Sequence, residues 1–380
     1  MTRIAIVGAG LAGSSLTHWL LESRFAGEIT LFDSRDPMTA SVGPTLLCHP
    51  FPGRSLAPHP YLQDAMQSTI QLLQNWRTLA PELIRPTTMW RPLKGTNLKR
   101  LSQSHQDWWV QGGKHTNQNN WKKQPPLIEY ASAKDIERIP SFKTPYPTLK
   151  TEPAFAIDAG ELFPIVHNYF KHRGVSIIQD TVDKITGIEN LWSIKTQTTK
   201  KCFDQVILAF GQQSRTWFPH LDITLQSGSL MKASPIQTNR VKSLSLNGLH
   251  IGQHNDGDWV FGSTRWSSTQ PTVENEKQEL LRKLRETLPF SPEMQPEKSS
   301  IWSGTRTIYG SDRMPLCGEL PQHRNIFVLT ALGSKGWLWG PWTAQILQKQ
   351  IQSKTKINGF EAVDLMRANA EDGWYSPFIM

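Results

Sequence analysis

The stretch that most constrains this chain is "RIAIVGAGLAGSSLTHWLLESRFAGEITLFD", Arg3–Asp33. Arg3–Val7 is short and apolar and reads as a buried strand. Gly8, Gly10 and Gly13 follow as G-x-G-x-x-G, Leu11–Glu22 reads as a helix, and "EITLFD" gives a second strand ending at Asp33. Strand, glycine turn, helix and strand within about 30 residues make a βαβ crossover. Gly8 allows the tight turn, Gly10 lets a pyrophosphate approach the backbone past Leu11 and Ala12, and Gly13 lets helix and strand pack closely. The helix N-terminus offers free N–H groups to phosphates. Asp33 is placed to bond a ribose diol. Together these features predict dinucleotide binding.

The rest of the chain continues the α/β pattern. Met38–Pro60 is a small-residue loop with five prolines, and Pro60–Leu79 has amphipathic helical spacing. A helix over about Gly160–His172 leads to a strand at Val175–Gln179. "FDQVILAFG" (Phe203–Gly211) reads as one buried strand, Gly228–Trp266 as several strands, and Glu274–Leu288 as a charged helix. "NIFVLTALG" is the last buried strand, and Lys335–Gln350 the last helix. The fold class expected is α/β: a Rossmann-like nucleotide-binding domain from discontinuous segments, 1–85, 152–222 and 300–380. Segments 86–151 and 223–299 are expected to form an inserted α+β substrate domain with an antiparallel sheet.

Composition excludes several classes. With 380 residues, 38% hydrophobic content and 15 tryptophans, the chain can bury a substantial core and is not of disordered composition. Cys48, Cys202 and Cys317 show no CxxC spacing, which argues against a disulfide framework or thiolate metal site. A reducing, cytoplasmic setting is expected. The N-terminus has a basic residue and an apolar run, but its glycines interrupt the run, so it reads as fold rather than signal. No uninterrupted apolar run reaches the roughly 18 residues a membrane span needs. The net charge of +9 favours anionic partners. Segment 90–123 concentrates Arg91, Lys94, Lys99, Arg100, Lys114, Lys122 and Lys123 among four tryptophans, with Asp107 its one acid. That pattern suits an RNA surface, and equally a lid or oligomer contact.

Four segments carry a resemblance: "IAIVGAGLAGSSL", "DAGELFPIVHNYFKHRGVSII", "GTRTIYGSDRMPLCGELP" and "NIFVLTALGSKGWLWGPWTAQIL". In this order they resemble the D-amino-acid oxidase superfamily of FAD-dependent amine oxidases, which includes glycine and sarcosine oxidases. Within it, "ALGSKGWLWGPW" and "LLCHPFPG" are similar to the FAD domain of the bifunctional tRNA 5-methylaminomethyl-2-thiouridine biosynthesis family. The resemblance implies FAD as cofactor, with Val182 and Gly211 among its contacts. It sets Gly333, Ser334, Lys335, Gly336 and Trp337 against the flavin ring, where a helix N-terminus stabilises negative charge. It implies Arg306 as the clamp for a substrate carboxylate, with Arg313 as a second candidate. His49, read as catalytic, and Arg265 become neighbours of the ring. Cys48 and Cys317 raise the question of a flavin thioether; Cys317 is displaced from the family position, so non-covalent FAD is expected.

Two activities remain open at this stage. One is removal of the carboxymethyl group, as glyoxylate, from carboxymethylaminomethyl-uridine in tRNA. The other is oxidation of glycine, sarcosine or a D-amino acid. A flavin-retaining binding protein without turnover is a third reading.

Overall fold

The computed structural model describes residues 1–50, 59–92, 128–131, 148–189, 191–235, 243–246, 249–266, 272–287, 294–310, 312–353, 363–364 and 376–380. In chain order the first half contains β1 (Arg3–Val7), α1 (Leu11–Glu22), β2 (Glu28–Phe32), β3 (Leu46–Cys48), α2 (Leu62–Arg77), β4 (Ile84–Pro92), β5 (Ile128–Ala131), β6 (Thr148–Ile157) and α3 (Ala159–His172). Next come β7 (Ser176–Ile178), β8 (Val182–Ile188), β9 (Leu191–Thr196), β10 (Lys200–Phe203), β11 (Gln205–Leu208), β12 (Ile223–Pro235), β13 (Leu244–Leu246), β14 (Leu249–Gln253) and β15 (Trp259–Gly262). The last are α4 (Val273–Thr287), β16 (Met294–Tyr309), β17 (Leu316–Glu319), β18 (Ile326–Thr330) and α5 (Gly336–Ser353).

These strands form a six-stranded sheet in the order β17-β18-β11-β1-β2-β7. It is parallel except for the β17–β18 pair. The apolar run of β1 sits at its centre, with Ile4, Ala5 and Ile6 fully buried. A buried strand needs cover on both faces. On one face, α1 packs beneath α5, and α5 also packs on α2. Leu11–Leu20 of α1 are all buried, because this helix lies inside that layer rather than on the surface.

A three-stranded antiparallel sheet, β10-β9-β8, lies beside this core. The expected single strand over Phe203–Gly211 is therefore divided. Phe203 ends β10, and Asp204 accepts from Arg3 N at 2.7 Å and Arg3 Nε at 3.2 Å, turning the chain between two sheets.

The third sheet runs β16-β12-β15-β14-β13-β4-β6-β3, with β5 added on β6. Strands β6 and β16 cross the divisions drawn from sequence at 151/152 and 299/300, and both belong to this sheet. So does β3, from within the first 85 residues. The nine-stranded sheet therefore draws on more of the chain than the inserted segments. Residues 93–123 of the basic, tryptophan-rich segment lie outside the described residues. Among the described residues no helix is long and apolar enough to cross a membrane.

Candidate active site

At the end of β1 the chain enters the glycine turn. Gly8 has φ +107°, and a Cβ there would lie 2.4 Å from the Ala209 carbonyl oxygen. Only glycine takes that conformation without strain. A Cβ on Gly13 would lie 1.9 Å from the Gly8 oxygen, so Gly13 sets how closely α1 approaches the strand. At Gly10 the nearest atom to an added Cβ is Ser41 Oγ, 3.0 Å away, and the space beyond belongs to a cavity of about 370 Å³. Gly8, Gly10, Leu11, Ala12 and Asp33 line that cavity. Gly13 does not; it works behind the turn. Val182 and Gly211 line the same end.

Two supports there were not legible in the sequence. Ser41 Oγ accepts from Leu11 N at 3.0 Å, capping α1 from a neighbouring loop. His167 of α3 lies 3.0 Å from both Ala9 O and Ser14 Oγ, bracing the turn from below. Neither follows a capping pattern, because each partner is remote along the chain.

The same cavity extends to the turn before α5, where Gly333, Ser334, Gly336 and Trp337 line it. Gly333 has φ +58°, a left-handed residue that turns β18 into the helix. The close glycine between α5 and α1 is Gly340, where a Cβ would lie 3.2 Å from Leu332 Cδ1 and 3.3 Å from Leu11 Cδ2. Lys335 is not among the cavity-lining residues. Its ammonium pKa is lowered by burial and by Arg313, which places it beside that arginine. Trp337 is 6% exposed and meets Trp76 and Phe163 edgewise and tilted, so it is core as well as cavity wall.

The nine-stranded sheet forms the opposite wall. In its antiparallel register Trp302 faces Leu230, Leu230 faces Gly262, and Gly262 faces His250. Gly304 faces Gly228 one step further on, and Arg306 faces Gln226. Gly228, Gly304 and Arg306 all line the cavity. A bridge between Ile308 and Leu332 fastens β16 to the glycine turn of α5, with Gly333 against Thr307 and Ile308 and Arg306 on the same strand. Its Nε and Nη2 donate to Gln226 Oε1 at 3.2 and 2.7 Å. Burial, then Arg265 and Arg313, lowers its pKa to about 10, so it stays charged at neutral pH.

Arg91, His49 and His250 complete this end. The sequence placed Arg91 in a surface segment; β4 turns it into the cavity, because its neighbour Trp90 pairs with Leu244 of β13. Burial lowers the Arg91 pKa to about 10. Burial, helped by His250 and Arg91, holds His49 at about 3. Burial, then Arg91, Arg306 and Arg265, holds His250 at about 4. His49 is therefore a neutral imidazole near pH 7. Arg265 also lines the cavity. None of the three cysteines does. Cys48 is buried with its pKa pushed up to about 12 by desolvation, and its Sγ faces Trp337 O at 3.6 Å. Cys317 faces Thr343 O behind α5.

Residues 3–350 match the family described as FAD dependent oxidoreductase. The chain belongs to this FAD-dependent oxidoreductase family. Its cofactor is FAD, and the glycine cradle fits one: Gly8 and Gly10 line the cavity without a Cβ, and α1 begins at its wall with Leu11 and Ala12. A curated relative is the tRNA 5-methylaminomethyl-2-thiouridine biosynthesis bifunctional protein MnmC of Marinobacter nauticus, 27% identical over 198 residues. The match covers 46% of this chain and 30% of that protein. Among solved structures, glycine oxidase from Geobacillus kaustophilus superimposes with a TM-score of 0.78 at 17% identity, covering 97% of this chain and 99% of that one. Iminodiacetate oxidase from Chelativorans sp. BNC1 gives 0.75 at 16%, covering 95% and 98%. At these identities the likeness is one of fold.

Proposed function

We propose that this FAD-dependent oxidoreductase oxidises the C–N bond of an amine that carries a carboxylate. One observation carries the reading: Arg306, with Nη1 unpartnered among the described residues, lines the same cavity as the glycine turn of α5. A fixed guanidinium edge matches a carboxylate in two parallel hydrogen bonds. FAD, when bound, accepts the two electrons and the hydrogen that leave the substrate carbon. In this reading Gly8–Gly13 and the start of α1 hold the pyrophosphate, Asp33 the ribose, and Val182 and Gly211 the far end. Gly333, Ser334, Gly336 and Trp337 border the ring.

The chain's own task is then orientation and proton handling. Arg306 holds the carboxylate and so fixes the α-carbon. The neutral imidazoles of His49 and His250 offer hydrogen-bonding nitrogens to the amine within the same cavity, and their lowered pKa values favour the substrate binding as the uncharged amine. Half-buried Trp302 and buried Trp337 narrow access to water.

For the substrate itself, two observations favour carboxymethylaminomethyl-uridine in tRNA: the relative named for tRNA modification, and the charge of +9. Free glycine, sarcosine or a D-amino acid is the alternative, favoured by the fold likeness to glycine oxidase. Anaerobic titration of the FAD-loaded protein with glycine, sarcosine, D-alanine, D-proline and the modified tRNA decides between them by flavin bleaching. Bleaching by the tRNA alone supports the first, bleaching by a free amino acid the second. No bleaching by any of them removes amine oxidation as the function.

A further inference from the structure

Arg306 is surrounded by cations that meet no anion. Arg265 follows β15, is exposed, and lines the cavity. Arg313 is exposed on the turn between β16 and β17, and Lys335 sits half-buried in the turn before α5. Arg265 and Arg313 are both close enough to oppose the charge on Arg306, and Arg313 does the same to Lys335. Among the described residues, Arg265, Arg313 and Lys335 make no hydrogen bond or ion pair.

Two arginines elsewhere in the chain are paired with acids. Arg85 is bonded to Asp158 at 2.6 Å, and Arg282 to Glu279 at 2.9 Å. Arg313 is held in an unfavourable conformation besides, with φ +58°, which a residue with a Cβ rarely adopts. The nearest acid in sequence, Asp312, is turned back to accept from Met314 N at 2.9 Å. Like charges gathered without counter-charge raise the energy of the empty site, and an arriving anion relieves it. One carboxylate at Arg306 satisfies one of the four.

We propose that the substrate carries a second anionic group, a phosphate or a carboxylate, and that Arg265 and Arg313, with Lys335 behind them, hold it at the rim of the cavity. The inference rests on the reading of Arg306 as the clamp for the first carboxylate. The clamp is half-buried and the two arginines are exposed, so the second group lies towards solvent, on the part of the substrate that does not react. A nucleotide phosphate and a second carboxylate share this chemistry.

The test needs no turnover. FAD-loaded protein is titrated with dead-end acids, and binding is read from perturbation of the flavin absorbance. Glycerate is compared with 3-phosphoglycerate, and butyrate with glutarate. The expected result is at least tenfold tighter binding of one dianion than of its partner, a gain that shrinks as sodium chloride is added. The phosphate and carboxylate arms identify which anion the rim takes. In the Arg265→Gln/Arg313→Gln double variant the difference between dianion and monoanion should fall below threefold. Neither side chain has a protein partner, so the fold survives; thermal melting checks this. Dianions that bind no better than their partners, or a double variant that keeps the whole gain, overturn the proposal. Arg306→Gln isolates the underlying reading: unchanged glycerate affinity there removes the clamp, while the dianion gain in the unmodified protein still decides the rim.

Discussion

Gln226 on β12 fixes Arg306 on β16 by taking two of its N–H groups on one oxygen, at 3.2 and 2.7 Å. The plane of the guanidinium is thereby set, and its Nη1 edge is left for a ligand. Arg306→Ala should raise KM for a carboxylated amine by roughly a hundredfold, since charge-assisted hydrogen bonds are worth about 1.5–3 kcal/mol each. Gln226→Ala keeps the charge and loses the orientation, so a rise of roughly three- to tenfold is expected. Steady-state kinetics on the two variants checks the order.

Gly10 and Gly13, in the same turn, should fail differently when substituted. Gly13→Ala drives a Cβ to 1.9 Å from backbone, so the apoprotein should lose about 1–3 kcal/mol or more in denaturant unfolding. Gly10→Ala meets a movable serine hydroxyl at 3.0 Å, so the apoprotein should remain stable. It should instead bind FAD roughly tenfold or more weakly, because the methyl group occupies the cradle. Fluorescence titration of the apoprotein with FAD reads the second effect.

Acid should destabilise the protein before its carboxylates titrate. His18 and His49 are 2% and 5% exposed, and burial lowers their pKa values from 6.5 to about 4 and about 3. Between those values and 6.5 the unfolded chain binds protons that the native chain does not. Stability is therefore fully present above pH 6.5 and falls as pH drops below it. At pH 5 each histidine contributes a loss of up to about 2 kcal/mol. A melting temperature that stays flat from pH 7 to pH 5 would contradict this.

Asp158 is fully buried and accepts from Thr45 Oγ1, from Arg85 Nη1 and Nη2, and from Asn255 N, at 2.6–3.0 Å. Arg85→Ala removes the counter-charge and leaves a buried carboxylate. The expected cost is about 3–5 kcal/mol in unfolding free energy. Thr45 lines the cavity, so FAD affinity should weaken as well.

Because no cysteine lines the cavity, acid precipitation should release all flavin into the supernatant and leave a colourless pellet. Flavin retained on the protein would show a covalent link through another side chain.

The sequence carried the nucleotide end almost completely, and for a physical reason. The turn at Gly8–Gly13 is local, and its glycines answer to backbone atoms a few residues away or on the adjacent strand. The α1 range Leu11–Glu22 matches as well. The substrate end was only partly legible. Arg306 was found through the pattern around it, but Arg91 and His250 enter the cavity by register across β4, β13, β14 and β15. The β4–β13 pairing that carries Arg91 joins strands about 150 residues apart and leaves no local trace, and the local hairpins around His250 do not say which face meets the cavity. The same holds for Ser41, whose hydroxyl caps a helix thirty residues earlier in the chain.

The six-stranded sheet has a consequence for synthesis. Its central β1 pairs with β11, which follows it by about two hundred residues, and β11 in turn pairs with the still later β18. The residues that border the two ends of the cavity, Gly8 and Gly336, are separated by most of the polypeptide. A nascent chain holds only half a binding site until β18 and the start of α5 have left the ribosome. A truncated product ending before Gly333 would be unable to keep its flavin.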